Sequence, residues 1–88
     1  MAHNVSEAMF RAERTIIRRA GEKGLWVVFS GPEADREWLV KDRATDTILG
    51  SCYPNRGTGT VLGEPFTFVT IADALRTFAA ARPNHKGN

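Results

Sequence analysis

The stretch Leu25 to Tyr53, LWVVFSGPEADREWLVKDRATDTILGSCY, holds three apolar runs separated by two turn signals. Each run is rich in Trp, Val, Ile, Leu, Phe and Tyr and is bounded by Gly, Pro, Asp or Asn, the signature of half-buried strands. Together they read as a three-stranded antiparallel meander. The first run, Leu25 to Ser30, is apolar on both alternating faces and is therefore expected at the centre of the sheet. Gly31 and Pro32 open a polar turn. The second strand, Glu37 to Lys41, sets Trp38 and Val40 against Leu39, and DRATD (42–46) leads tightly into the third, Thr47 to Tyr53. Gly50 interrupts that third strand and signals a bulge or the close approach of another backbone.

A sheet this small needs a cover, and apolar residues at helical spacing supply it before and after the meander in the chain. Val5, Met9, Ala12, Ile16 and Ala20, with Phe10 and Ile17 widening the stripe, predict an amphipathic first helix. Asn4 or Ser6 serves as its N-cap, Glu7 favours its first turn, and Gly21 and Gly24 stop it. Downstream, Ile71, Ala74, Leu75, Phe78 and Ala81 predict a last helix, with Thr70 as N-cap, Asp73 three residues on and Pro83 at its end. Between sheet and last helix, PNRGTGTVLGEP (54–65) contains three glycines and two prolines. It is expected to be the one long, mobile loop, with Phe66 to Val69 a short extended piece and at most a fourth strand. The expected architecture is α+β: a helix, the three-stranded meander, and a C-terminal helix, both helices on one face of the sheet.

With 88 residues there is room for a single domain, 1–88, whose ends at 1–4 and 83–88 are expected to fray. Hydrophobic residues at 42% and charged residues at 25% are those of an ordinary soluble globule. No apolar run approaches the roughly 18 residues of a membrane span, so no membrane role is expected. The start, MAHNVSEAMF, lacks a basic segment followed by an apolar one, which points to the cytoplasm. The single Cys52 cannot form an internal disulfide. Twelve Lys and Arg against ten Asp and Glu give a net charge of +2, with a pI of about 9.1, so the informative question is where the arginines sit.

On the first helix Arg11, Arg14 and Arg18 fall within one narrow arc opposite the apolar stripe. Such a ridge suits phosphates of a nucleic acid or an acidic patch on a protein; a solvated helix face, with Glu7 four residues before Arg11 and Glu22 nearby, is the plainer account. RGTGT (56–60) offers backbone amides and the charge of Arg56 to an anion, but it lacks the Lys-Ser/Thr ending of a P-loop and reads better as a flexible loop. Glu33, Asp35, Glu37, Asp42 and Asp46 do not follow a calcium-loop spacing and read as solvated turn carboxylates. His3 and His85 lie near the termini, and Cys52 reads as a buried strand residue, so no catalytic group is assigned. Nor is any cofactor or metal ligand, and no small-molecule substrate is expected. Of Trp26 and Trp38, at least one is expected in sheet packing; Trp38 joins the four arginines as a candidate contact residue.

The order helix, three strands, helix resembles that of double-stranded-RNA-binding domains, and SGPEADREWLV looks like the Gly-Pro turn between their first two strands. Those domains place a His shortly after the Gly-Pro and a lysine cluster at the start of the last helix. This chain has Glu33, Ala34 and Asp35, then TIADALR, so the resemblance implies no functional residues. WLVKDRATDTILG with the later DALRTF is similar, over part of the chain, to the small three-stranded DNA-binding domains of phage-type integrases. The functional expectation is a non-catalytic binding protein, a regulator or inhibitor that docks onto a protein partner through the sheet face and the glycine-rich segment, as a homodimer or partner-bound. The alternative is a nucleic-acid-binding accessory protein that uses the arginine ridge of the first helix.

Overall fold

The computed structural model describes residues 6–83; apart from Pro83, the ends expected to fray lie outside that range, as do Asn4, His3 and His85. Helix α1 (Glu7–Glu22) precedes strands β1 (Leu25–Ser30), β2 (Glu37–Asp42), β3 (Ile48–Tyr53), β4 (Thr58–Val61) and β5 (Glu64–Thr67), and helix α2 (Ile71–Ala80) follows them. A short 3-10 turn, Glu33–Asp35, joins β1 to β2. The fold is α+β, as expected, but the sheet has five antiparallel strands in the order β1-β2-β3-β4-β5 rather than three or four.

Two expectations about that sheet are corrected. The segment 54–65 is not a long loop: Thr58 pairs with Tyr53 across to β3, and Thr58 pairs with Thr67 across to β5. The β4–β5 connection is the two-residue turn Leu62-Gly63, with φ of +51° and +81°. Positive φ at both central residues marks a type I′ hairpin, which matches the twist of the flanking strands. A leucine is unusual in the first of those positions, and the hairpin is hidden in the sequence for that reason. The second correction concerns β1, which pairs only with β2 and forms an outer edge, leaving β3 at the centre.

Glycine in β3 and β4 reflects packing rather than flexibility. Gly50 pairs with Val61 and Cys52 with Gly59. A Cβ on Gly50 would overlap the Thr60 carbonyl, and one on Gly59 would stand 2.6 Å from the Cys52 Cβ. The expected close approach at Gly50 is thus present, and a bulge adjoins it. Val40 pairs with Gly50 but Lys41 with Ile48, so Leu49 is an extra residue in β3. Leu49 is buried while Ile48 is 59% exposed.

Both helices start where side-chain caps replace missing backbone partners. Ser6 Oγ accepts from Met9 N at 3.1 Å and Thr70 Oγ1 from Asp73 N at 3.1 Å. Gly24, at φ +78°, turns the chain out of α1 into β1. One cluster unites Ala20 of α1 and Leu75 and Phe78 of α2 with Leu25, Val27, Trp38, Val40, Leu49 and Cys52 of the sheet. Trp38 meets Phe29 edge to face, ring centroids 5.9 Å apart, and Phe78 meets Phe66 likewise at 5.3 Å.

Candidate functional site

The arginine ridge forms as the helical spacing predicts. Arg11, Arg14 and Arg18 are exposed on α1, and with Thr15 they line one open depression of about 430 Å³. Arg11 makes an exposed ion pair with Glu7 at 3.6 Å. Arg14 and Arg18 have no ion partner among the described residues.

Arg56 is engaged instead. Its Nε and Nη2 donate to both carboxylate oxygens of Asp35, at 2.9 and 2.6 Å, and its guanidinium stacks on Tyr53, 4.4 Å from the ring centroid. This pairing raises the guanidinium above its ordinary pKa. Asn55 Nδ2 donates to the carbonyls of Glu33 and Ala34, so the β3–β4 turn is latched to the 3-10 turn from two side chains. The amides of Arg56 and Gly57 donate to the Tyr53 carbonyl, and Thr58–Val61 lies in the sheet. The RGTGT amides are therefore committed to turn and ladder rather than open to an anion.

Trp38, expected at a contact surface, is 2% exposed and belongs to the core. The half-exposed tryptophan is Trp26. It alternates with Leu25 and Val27 to the opposite side of β1, beside Val28, and pairs in register with Lys41, which in turn pairs with Ile48. Trp26, Val28 and Ile48 are 41, 42 and 59% exposed, and Leu39, opposite Val28, completes the patch. The sequence signal for it was the double-sided apolarity of Leu25 to Phe29, which reads equally as a central strand or as an edge with a sticky outer face.

Two buried carboxylates also escaped the sequence. Glu13, 4% exposed, receives Arg36 through Nε at 2.6 Å and Nη2 at 3.1 Å, and Arg36 Nη1 donates to the Gly31 carbonyl. The pairing raises the Arg36 pKa despite burial. Glu13 lies three residues before Ile16 on the stripe, an acid among apolar neighbours that calls for a cation. Asp42, wholly buried, receives Arg82 Nε at 2.7 Å, Thr45 Oγ1 at 2.8 Å and Thr45 N at 2.9 Å. Those donors, Arg82 first, hold its pKa down at about 2. Arg82 also donates to the Lys23 carbonyl, tying the chain after α2 to the end of α1.

Of the turn acids, Asp35, Asp42 and Asp46 are engaged by Arg56, Arg82 and Lys41. Among the described residues no three His, Cys, Asp or Glu side chains gather as a metal site. Cys52 is buried, and burial pushes its thiol up to about 12, so it is neither ionised nor accessible at neutral pH. No helix among the described residues is long and apolar enough to cross a membrane. No family model, curated protein or solved structure matches the chain.

Proposed function

We propose that α1 and α2 cover one face of the sheet and that the chain works as a non-catalytic binding protein, a regulator or inhibitor that docks onto a protein partner through the other face. The observation that carries this is the patch formed by Trp26 and Val28 on β1 with Leu39 beside Val28 on β2, extended to Ile48 on β3 across Lys41; Trp26, Val28 and Ile48 are 41, 42 and 59% exposed. Contiguous apolar surface on a small protein marks a contact surface, and a half-buried tryptophan is a common anchor within one. The shared cluster of Ala20, Leu75 and Phe78 with alternate strand residues supports placing both helices on the side away from the patch. Across the sheet, Ser51, Thr60 and Pro65 continue the Val28–Leu39 row as less apolar positions, which gives the patch a boundary.

A photo-crosslinking residue at position 26, compared with one at position 76 on α2, tests the reading in cells. A crosslinked protein from position 26 alone is expected, lost in a Val28→Asp variant whose thermal unfolding matches wild type. Equal crosslinking from both positions, or survival in Val28→Asp, would overturn it. A second reading, a nucleic-acid-binding accessory protein, is favoured by Arg14 and Arg18, exposed side by side without ion partners among the described residues.

A further inference from the structure

Net charge conceals how the cations are distributed. Ion pairs engage Arg11, Arg36, Lys41, Arg56, Arg76 and Arg82. The described cations without an acidic partner are Arg14, Arg18, Arg19, Lys23 and Arg43. Four of these lie on α1 or at its C-cap. The fifth, Arg43, comes from the β2–β3 turn, and its Nη1 stands 2.9 Å from the point that a Cβ on Gly21 would occupy. Gly21 follows Arg18 by three residues and so lies on the same helix face. The glycine leaves room for a guanidinium from another element in the place where the next ridge residue would project. Arg43 is held there from its backbone, whose N donates to the Gly24 carbonyl at 2.9 Å.

We infer that Arg11, Arg14, Arg18 and Arg43 form one strip along the outside of α1 that binds the phosphate backbone of duplex DNA. This rests on the nucleic-acid reading and gives it a fourth residue and a ligand. From Arg11 to the Gly21 position the helix rises about 15 Å, so the roots of the three ridge arginines and the Arg43 guanidinium beside Gly21 follow one another along the helix axis at roughly 5 Å intervals. Guanidinium forks match phosphate oxygens two by two. The Arg11–Glu7 pair is exposed and 3.6 Å long, so it is weak and yields readily to a phosphate. Glu22, beside the strip, opposes binding and keeps it moderate. A pI of about 9.1 with the free cations gathered along one helix is the footprint of a nucleic-acid binder. The major groove of B-form DNA, about 12 Å wide, admits an α-helix, whereas that of A-form RNA is too narrow. One aromatic residue, Phe10, is 62% exposed four residues before Arg14 at the edge of the strip; a single ring provides no platform for successive unpaired bases, which disfavours single strands.

Fluorescence anisotropy of labelled duplex DNA at about 50 and 200 mM salt tests this. Four phosphate contacts predict a fall in affinity of about 150-fold between those concentrations. Arg43→Ala should reduce the slope of log K against log salt by about 0.9, Arg14→Ala with Arg18→Ala by about twice that, and the control Arg76→Ala on α2 not at all. No binding at the lower salt would overturn the nucleic-acid reading and the strip together. Binding lost in the Arg14, Arg18 double variant but unchanged in Arg43→Ala would overturn the strip and leave the reading. Tighter binding of duplex RNA, single-stranded DNA or polyglutamate would overturn the choice of ligand.

Discussion

Asp42 occupies the end of β2 with no exposed surface, and three donors from Arg82 and Thr45 converge on its carboxylate. Its pKa in the folded protein is about 2, against an ordinary 3.8. Because the folded value is the lower one, the unfolded chain takes up this proton first as pH falls. The stability that ionised Asp42 contributes is complete above about pH 4 and is lost progressively as pH drops toward 2. Urea midpoints measured at pH 6, 4 and 2.5 should fall across that window in wild type. In Asp42→Asn, which cannot titrate, the midpoint should be lower at pH 6 and change less between pH 4 and 2.5. Parallel curves for the two proteins would show that the acid sensitivity originates elsewhere. Arg82 joins this carboxylate to the Lys23 carbonyl, so one guanidinium links β2, the end of α1 and the chain beyond α2.

At the scale of the element, β4 is held by what its neighbours lack. Gly50 lets the Thr60 carbonyl approach β3, and Gly59 leaves room for Cys52. An alanine at position 50 meets backbone atoms of Thr60 and Val61 rather than a flexible side chain, so the strands must part. Gly50→Ala should cost about 3 kcal/mol, the upper end of overpacking, and lower the melting temperature by more than about 10 °C. An unchanged melting temperature would mean that β3 and β4 shift apart freely. The same glycines explain which parts of the fold were legible. Helices announce themselves through period and cap, and Thr70 with Asp73, Ser6, Ala74, Leu75 and Phe78 stand where the pattern puts them. β4 does not, because a strand of Thr-Gly-Thr-Val followed by a Leu-Gly turn has the composition of a loop, and only the partner strand supplies the reason for its glycines. The site divides likewise. The ridge of Arg11, Arg14 and Arg18 follows from helical period alone, whereas Arg43 reaches Gly21 through tertiary structure, and Trp38 is buried while Trp26 is half exposed because Trp38 falls on the sheet face of Val27 and Val40 and Trp26 on the opposite one.

At the scale of the molecule, the two edges of the sheet are guarded unequally. β5 carries Glu64 and Pro65, a charge and a residue without an N–H, both of which discourage further pairing. β1, LWVVFS, has neither, and on its outward face Trp26 and Val28 remain about two-fifths exposed. Apolar surface and an unprotected edge in one strand favour pairing with another strand, and the commonest available partner is β1 of a second copy related by a two-fold axis. Antiparallel pairing of the two β1 strands would join the sheets and bring the two Trp26, Val28 patches into one surface. Light scattering at tens of micromolar should then give twice the 9.7 kDa of the chain. Trp26→Lys places an edge guard on the strand and should return the mass to that of one chain while leaving the unfolding midpoint at low protein concentration unchanged, since the side chain is half exposed. The dimer should resist salt, because it is held by apolar contact and backbone pairing, whereas binding at the α1 strip weakens with salt. A wild-type mass of a single chain at those concentrations would remove self-association and leave the patch to a different protein.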